Sequence, residues 1–298
     1  MKTTTIISFG LILLFLILPT LILKAQETQS EPILVRIKTK DGNEFIGEVF
    51  TEDDQKIILI TEKFGEISIQ KIDIQSREII SAARIKDGKL WFENPQSTRY
   101  FFAPNGYGIK RGEAYYQNVW IFFNQFTFGV SDNFSFSVGT VPLFLFAGAS
   151  TPVWVNPKVS IPIVKDKYNL GAGALVGTVI GEGGAFGILY GVNTFGNKDQ
   201  NITLGLGWGF ADGGIANSPT ITISGMTRVG PRGYLLTENY ILNTGSDTFG
   251  LISFGGRSII GEVGLDYGLA FPVTGYSDSF VAVPWLGLTV PIRKNKSN

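Results

Sequence analysis

Lys158, Arg228, Glu238, Glu262 and Asp266 stand as charged residues inside otherwise apolar runs. Charges in such settings either do chemistry or line water. Glu262 and Asp266 are the natural pair to test for acid–base work, because two carboxylates can divide the roles of acid and base. On an extended chain residues four apart share a face, but they stand roughly 13 Å from each other, too far for one reaction centre. The glycine-rich run GEGGAFG at 181–187 could wrap a phosphate. It has no lysine and no helix following it, so a tight turn between strands is the simpler expectation.

The chain has no cysteine and no histidine. Without cysteine there are no disulfides, thiolate metal sites or thiol nucleophiles. Without histidine the commonest general base and metal ligand is missing. The expectation is therefore a protein that is not an enzyme, with no cofactor and no metal. Lys plus Arg equals Asp plus Glu, so the net charge is zero and a nucleic-acid partner held by bulk charge is not expected.

What positions the five charges is a set of alternating segments. From Glu113 to Ile292, runs of large apolar residues interleave with small or polar ones, broken by polar turns. In NITLGLGWGFA one face holds Ile202, Leu204, Leu206, Trp208 and Phe210, and the other Thr203, Gly205, Gly207, Gly209 and Ala211. In IIGEVGLDYGLAF, Val263, Leu265, Tyr267, Leu269 and Phe271 oppose Glu262, Gly264, Asp266, Gly268 and Ala270. Strands of this length and alternation suit a transmembrane barrel, with apolar residues toward lipid and small or polar ones inside. A soluble β-sandwich also alternates, but it would put charged residues, not bulky apolar ones, on its outer face. The pattern predicts ten to twelve spans, with even parity returning both chain ends to one side. In YYQNVWIFFNQFTFGV the alternation changes face around Asn124–Gln125, which predicts a bulge. Since a charge facing lipid at mid-membrane costs about 2 to 4 kcal/mol, Lys158, Arg228, Glu238, Glu262 and Asp266 are expected to face the lumen.

Three other regions precede the barrel. Residues 1–25 carry one early lysine and an apolar run from Ile6 to Leu23, as a cleavable secretory signal does; a retained anchor is the alternative. Residues 26–94 are charged and β-branched, with hairpin signals at Asp41-Gly42 and Asp87-Gly88 and a turn near Phe64-Gly65. Residues 95–112 are turn-rich around Tyr100-Phe101-Phe102 and read as a linker.

Two resemblances follow from these residues. Val35-Arg36-Ile37, Asp41-Gly42, Phe45-Ile46-Gly47-Glu48-Val49, Ile57 to Ile60 and Ile67-Ser68-Ile69 leading to Ile72-Asp73-Ile74 resemble, in order, a small barrel of Sm-like or SH3-like type. The segment TRYFFAPNGYGIKRGEAYYQN resembles uncharacterised outer-membrane barrels of Bacteroidota-type Gram-negative bacteria, and Gly287-Leu288-Thr289-Val290-Pro291-Ile292 resembles the terminal strand signal of outer-membrane barrels, ending in isoleucine instead of an aromatic. The resemblance implies a location in the outer membrane, not an activity. The partners it implies are outer-membrane lipid and the barrel-assembly machinery, with a periplasmic protein as a partner for the small domain. The sequence thus leads to an all-β chain whose barrel is a narrow porin-like channel for small solutes or a non-conducting anchor presenting a periplasmic interaction domain.

Overall fold

The computed structural model describes residues 34–80, 84–86, 89–243, 248–274 and 281–292. The expected secretory segment, 1–25, lies outside them. The chain divides into two compact units, residues 1–88 and 89–298.

The first unit is a five-stranded antiparallel sheet: β1 (Leu34–Thr39), β2 (Glu44–Glu52), β3 (Lys56–Thr61), β4 (Gly65–Gln70) and β5 (Ile74–Ile80), in the order β4-β3-β2-β1-β5. Alternation drives it: Val35, Ile37, Ile57, Leu59 and Ile69 form one core, against which Phe45, Val49, Ile67 and Ile74 pack. Gly42 takes a φ of +89° in the β1–β2 turn, which is why Asp-Gly signals that hairpin. At Gly47 a Cβ would stand 2.5 Å from the Ile60 carbonyl oxygen, so only glycine lets β2 cross β3 this closely.

The second unit is a closed barrel of twelve antiparallel strands. They are β6 (Ala114–Val119), β7 (Phe123–Gly129), β8 (Phe134–Thr140), β9 (Thr151–Val164), β10 (Tyr168–Ile180), β11 (Gly183–Gly196), β12 (Gln200–Ala211), β13 (Thr220–Arg228), β14 (Gly233–Asn243), β15 (Thr248–Ile260), β16 (Val263–Thr274) and β17 (Val283–Ile292). Each pairs with the next, and β17 closes the ring on β6 through Gly287↔Val119 to Ile292↔Ala114. With all edges paired, the backbone needs no water in a membrane. The alternating faces of β12 fall as their residues dictate: Ile202, Leu204, Leu206 and Trp208 are exposed on the outer wall, while Asn201 and Thr203 are buried inside. The chain is an outer-membrane β-barrel protein. Among the described residues, no helix is long and apolar enough to cross a membrane.

Two sequence expectations need correction. YYQNVWIFFNQFTFGV is not one bulged strand but the hairpin β6–β7, with Trp120 at φ +51° and Ile121 at φ +67°. The turn has no glycine. Asn118 and Asn124 build it instead: Asn118 Oδ1 accepts from the Ile121 amide, and Asn124 Nδ2 donates to the Phe122 carbonyl at 2.8 Å. The second correction concerns residues 95–112. They do not link two bodies through solvent; residues from Phe92 to Ile109 thread the inside of the barrel, and Lys110 to Gly112 are exposed. Gln96, Arg99, Tyr100, Phe101 and Asn105 are all buried there.

Candidate functional site: a plugged lumen

The plug is a short hairpin. The Tyr100 amide donates to the Ala103 carbonyl at 3.0 Å, and the Asn105 amide to the Thr98 carbonyl at 3.0 Å. The Asn105 side chain clamps its base by donating to the Ser97 carbonyl and accepting from the Tyr107 amide. Such a segment exposes many backbone polar groups, and in a dry interior each needs a partner. The barrel wall supplies them, and the charged residues read from the sequence are among the suppliers.

Glu238, on β14, accepts from the amides of Phe102 at 2.9 Å and Ala103 at 2.8 Å, and from the Tyr240 hydroxyl at 2.7 Å. Lys158, on β9, donates to the Tyr107 carbonyl at 2.6 Å. Asp266, on β16, binds Arg257 of β15 through both oxygens, at 2.6 and 2.8 Å. Arg257 spends its remaining donors on the plug, reaching the Gln96 and Tyr100 carbonyls at 2.8 Å and the side-chain oxygens of Asn94 and Gln96. Lys158, Glu238 and Asp266 therefore all face the lumen.

The other two candidates lie toward the ends of their strands. Arg228 also faces inward, in register with the buried Tyr234, at the barrel end where the plug enters. It pairs with Asp199 at 3.1 Å and donates to the Phe92 and Pro231 carbonyls, with Trp91 stacked 4.8 Å from its guanidinium. Glu262 is not on the inner wall: it sits exposed in the turn between β15 and β16, before the strand pairing begins at Val263. The alternation was extended one residue too far, into a turn made by Gly261 at φ +63°.

Sequence reasoning missed Arg257 and Arg99. Arg257 had a signal: it and Asp266 are equidistant from the Gly261–Glu262 turn, so an antiparallel register places them opposite each other. Arg99 had none, because it lies in the segment read as a linker. It donates from Nε to the Tyr115 hydroxyl at 3.1 Å and from Nη1 to the Phe102 carbonyl at 3.0 Å.

Neutral groups complete the fit. The Tyr100 hydroxyl meets Asn201 and Thr203 at 2.6 Å each, Gln117 donates to the Phe101 carbonyl, and the Gly106 amide donates to Thr194 at 2.7 Å. Phe101 packs on Trp285 at 5.3 Å, and Trp285 on Trp120 at 4.7 Å, an aromatic layer beside the plug tip. Among the described residues, no cluster of side chains could hold a metal ion.

No protein family and no curated protein matches the chain. Solved structures of similar shape include OmpT of Vibrio cholerae, an outer membrane protein folded in vitro and seen as a trimer, at 12% identity and a TM-score of 0.33, covering 88% of this chain and 97% of that one. A variant of it lacking loop L8 gives 12% identity and a TM-score of 0.35 over 88% and 97% of the two chains. OmpT expressed in the outer membrane gives 13% and 0.33, over 87% and 94%. The expectation that the chain is not an enzyme is withdrawn: it rested on the missing histidine, yet carboxylates, lysine and tyrosine can also move protons. No activity is carried over from these neighbours.

Proposed function

We propose that the protein is a closed outer-membrane anchor that holds its N-terminal β domain on the periplasmic side. One observation carries this reading: the inward charges of the barrel are committed to the plug or to each other. Arg257, Glu238 and Lys158 bond plug backbone atoms, and Asp266 bonds Arg257. A conducting pore would leave these charges facing water and passing ions. Here they satisfy a polypeptide in a dry interior, where an unmade bond is costly. The periplasmic placement is supported by parity and by loop lengths. Both ends of the barrel domain fall on the side of the short turns, such as 165–167, 197–199 and 261–262, as periplasmic turns are short.

The test is conductance in planar bilayers. The full chain is expected to be silent, and a deletion of residues 92–109 bridged by a flexible linker is expected to show stepwise openings. Steady conductance by the full chain would defeat the anchor reading and favour the narrow channel.

A further inference from the structure

Among the described residues, the charged residues buried inside the barrel are Arg99, Lys158 and Arg257, with Glu238 and Asp266 as anions; the Arg228 side chain, 7% exposed at the plug's entry, pairs with Asp199. Arg257 and Asp266 neutralise each other. Glu238 is held by two plug amides and a phenol. Among the described residues Arg99 makes no ion pair, and its Nη2 has no hydrogen-bond partner. A guanidinium only 3% exposed, 6.0 Å from the Phe102 ring centroid and with an idle nitrogen, is an unusual thing to leave in a barrel interior.

Arg99 borders a cavity of about 150 Å³ between the plug tip and the wall opposite the plug's entry. Phe102, Leu175 and Ile188 give it apolar walls, and Tyr190 and Tyr240 add ring faces. Both phenol hydroxyls are already engaged, Tyr190 with Asn156 and Tyr240 with Glu238. The site therefore offers one cationic donor to a space with mostly apolar walls, in which Asn156, Thr220 and Thr222 are the neutral polar side chains.

We propose that this cavity binds a small monocarboxylate with an apolar body of about six carbons. A space of this size holds a benzene-sized molecule. The carboxylate accepts from Arg99 Nη2 and gives the guanidinium an anionic partner, while the ring or chain lies against Leu175, Ile188 and Phe102. The site lies beyond the plug, at the end of the barrel away from the plug's entry. Binding goes beyond the anchoring role; only the side of access, outside the cell, rests on the periplasmic placement proposed above.

Benzoate is the probe, titrated by calorimetry into the full chain in a non-ionic detergent, with benzyl alcohol as its neutral counterpart. Saturable benzoate binding is expected, about tenfold or more tighter than benzyl alcohol, as loss of a charged hydrogen bond implies. Arg99→Met should remove that preference. Leu175→Trp fills the cavity, leaves Arg99 in place, and should abolish binding in a barrel that still shifts on boiling in gels. No saturable binding by the parent, equal binding of the two probes, or undiminished binding by Leu175→Trp would each overturn the proposal.

Discussion

Asp266 holds Arg257 by two parallel bonds, Oδ1 to Nε and Oδ2 to Nη2, across neighbouring strands and with neither residue more than 1% exposed. Arg257 then carries the plug. Removing one partner leaves the other charge buried and alone, so Asp266→Asn should destabilise the barrel by about 3 to 5 kcal/mol. The double change Asp266→Leu with Arg257→Met should cost less than the sum of the two single changes. Denaturant unfolding from detergent, followed by tryptophan fluorescence, measures both. Additive costs would mean that the pair is not the unit of stability described here.

The plug meets the wall with backbone against backbone at Gly106. A Cβ on Gly106 would come within 2.6 Å of the Asn169 carbonyl oxygen, and Gly171 lies opposite on the same strand. Neither neighbour can yield as a side chain would. Gly106→Ala should loosen the plug at a cost of about 1 to 3 kcal/mol. It should raise the frequency of brief openings in planar bilayers and expose residues 92–109 to protease. An unchanged, silent and resistant barrel would show that the plug tolerates displacement here.

On the outer wall of β16 the depth of each residue sets its response. Leu265 is the third residue of the strand and Leu269 the seventh of twelve. Leu269→Lys, nearer the middle, should cost about 2 to 4 kcal/mol, and Leu265→Lys, nearer an end, should cost less. Refolding into lipid vesicles with denaturant titration gives both values. Equal costs would place the membrane differently along this strand.

The small domain should weaken in acid. Burial raises the Glu78 carboxyl, but Arg36 and Arg84 beside it outweigh this and hold it below its ordinary value of 4.5. Glu52 is likewise lowered, chiefly by its bond from Lys71, against a burial effect that raises it. A lowered folded-state value contributes stability that is complete above the ordinary value and is lost as pH falls through the lower one. The domain should therefore lose stability on acidification below about pH 4.5, and Glu78→Gln should flatten that loss. Circular dichroism melts across this range check it; identical pH profiles for parent and variant would remove Glu78 from the account.

The two units divide at residue 88, before the plug. Residues 26–88 should fold in water as a β-rich domain, while 89–298 should need detergent and still be silent in bilayers. A fragment beginning at 113 should instead conduct or fail to assemble. An unfolded spectrum for the short fragment would show that its five strands depend on the rest of the chain.

Much of this architecture is legible in the residues. The side-chain period of a strand is two, so Ile202 to Trp208 and Val263 to Phe271 declare which face meets lipid, and Lys158, Glu238 and Asp266 must then turn inward. That inference is local and needs no tertiary information. The failures are equally specific. Glu262 was assigned by continuing a period into a turn, and the β6–β7 hairpin went unseen because its positive φ angles fall on Trp120 and Ile121, with asparagines on either side doing the work of glycine. The role of residues 92–109 was decided only by the closed barrel. Their polar and turn-rich composition says that the backbone needs partners outside regular structure, and in a linker water provides them. Arg257, Glu238, Lys158 and Thr194 provide them here, and these four come together only when strands far apart in the chain close into a ring.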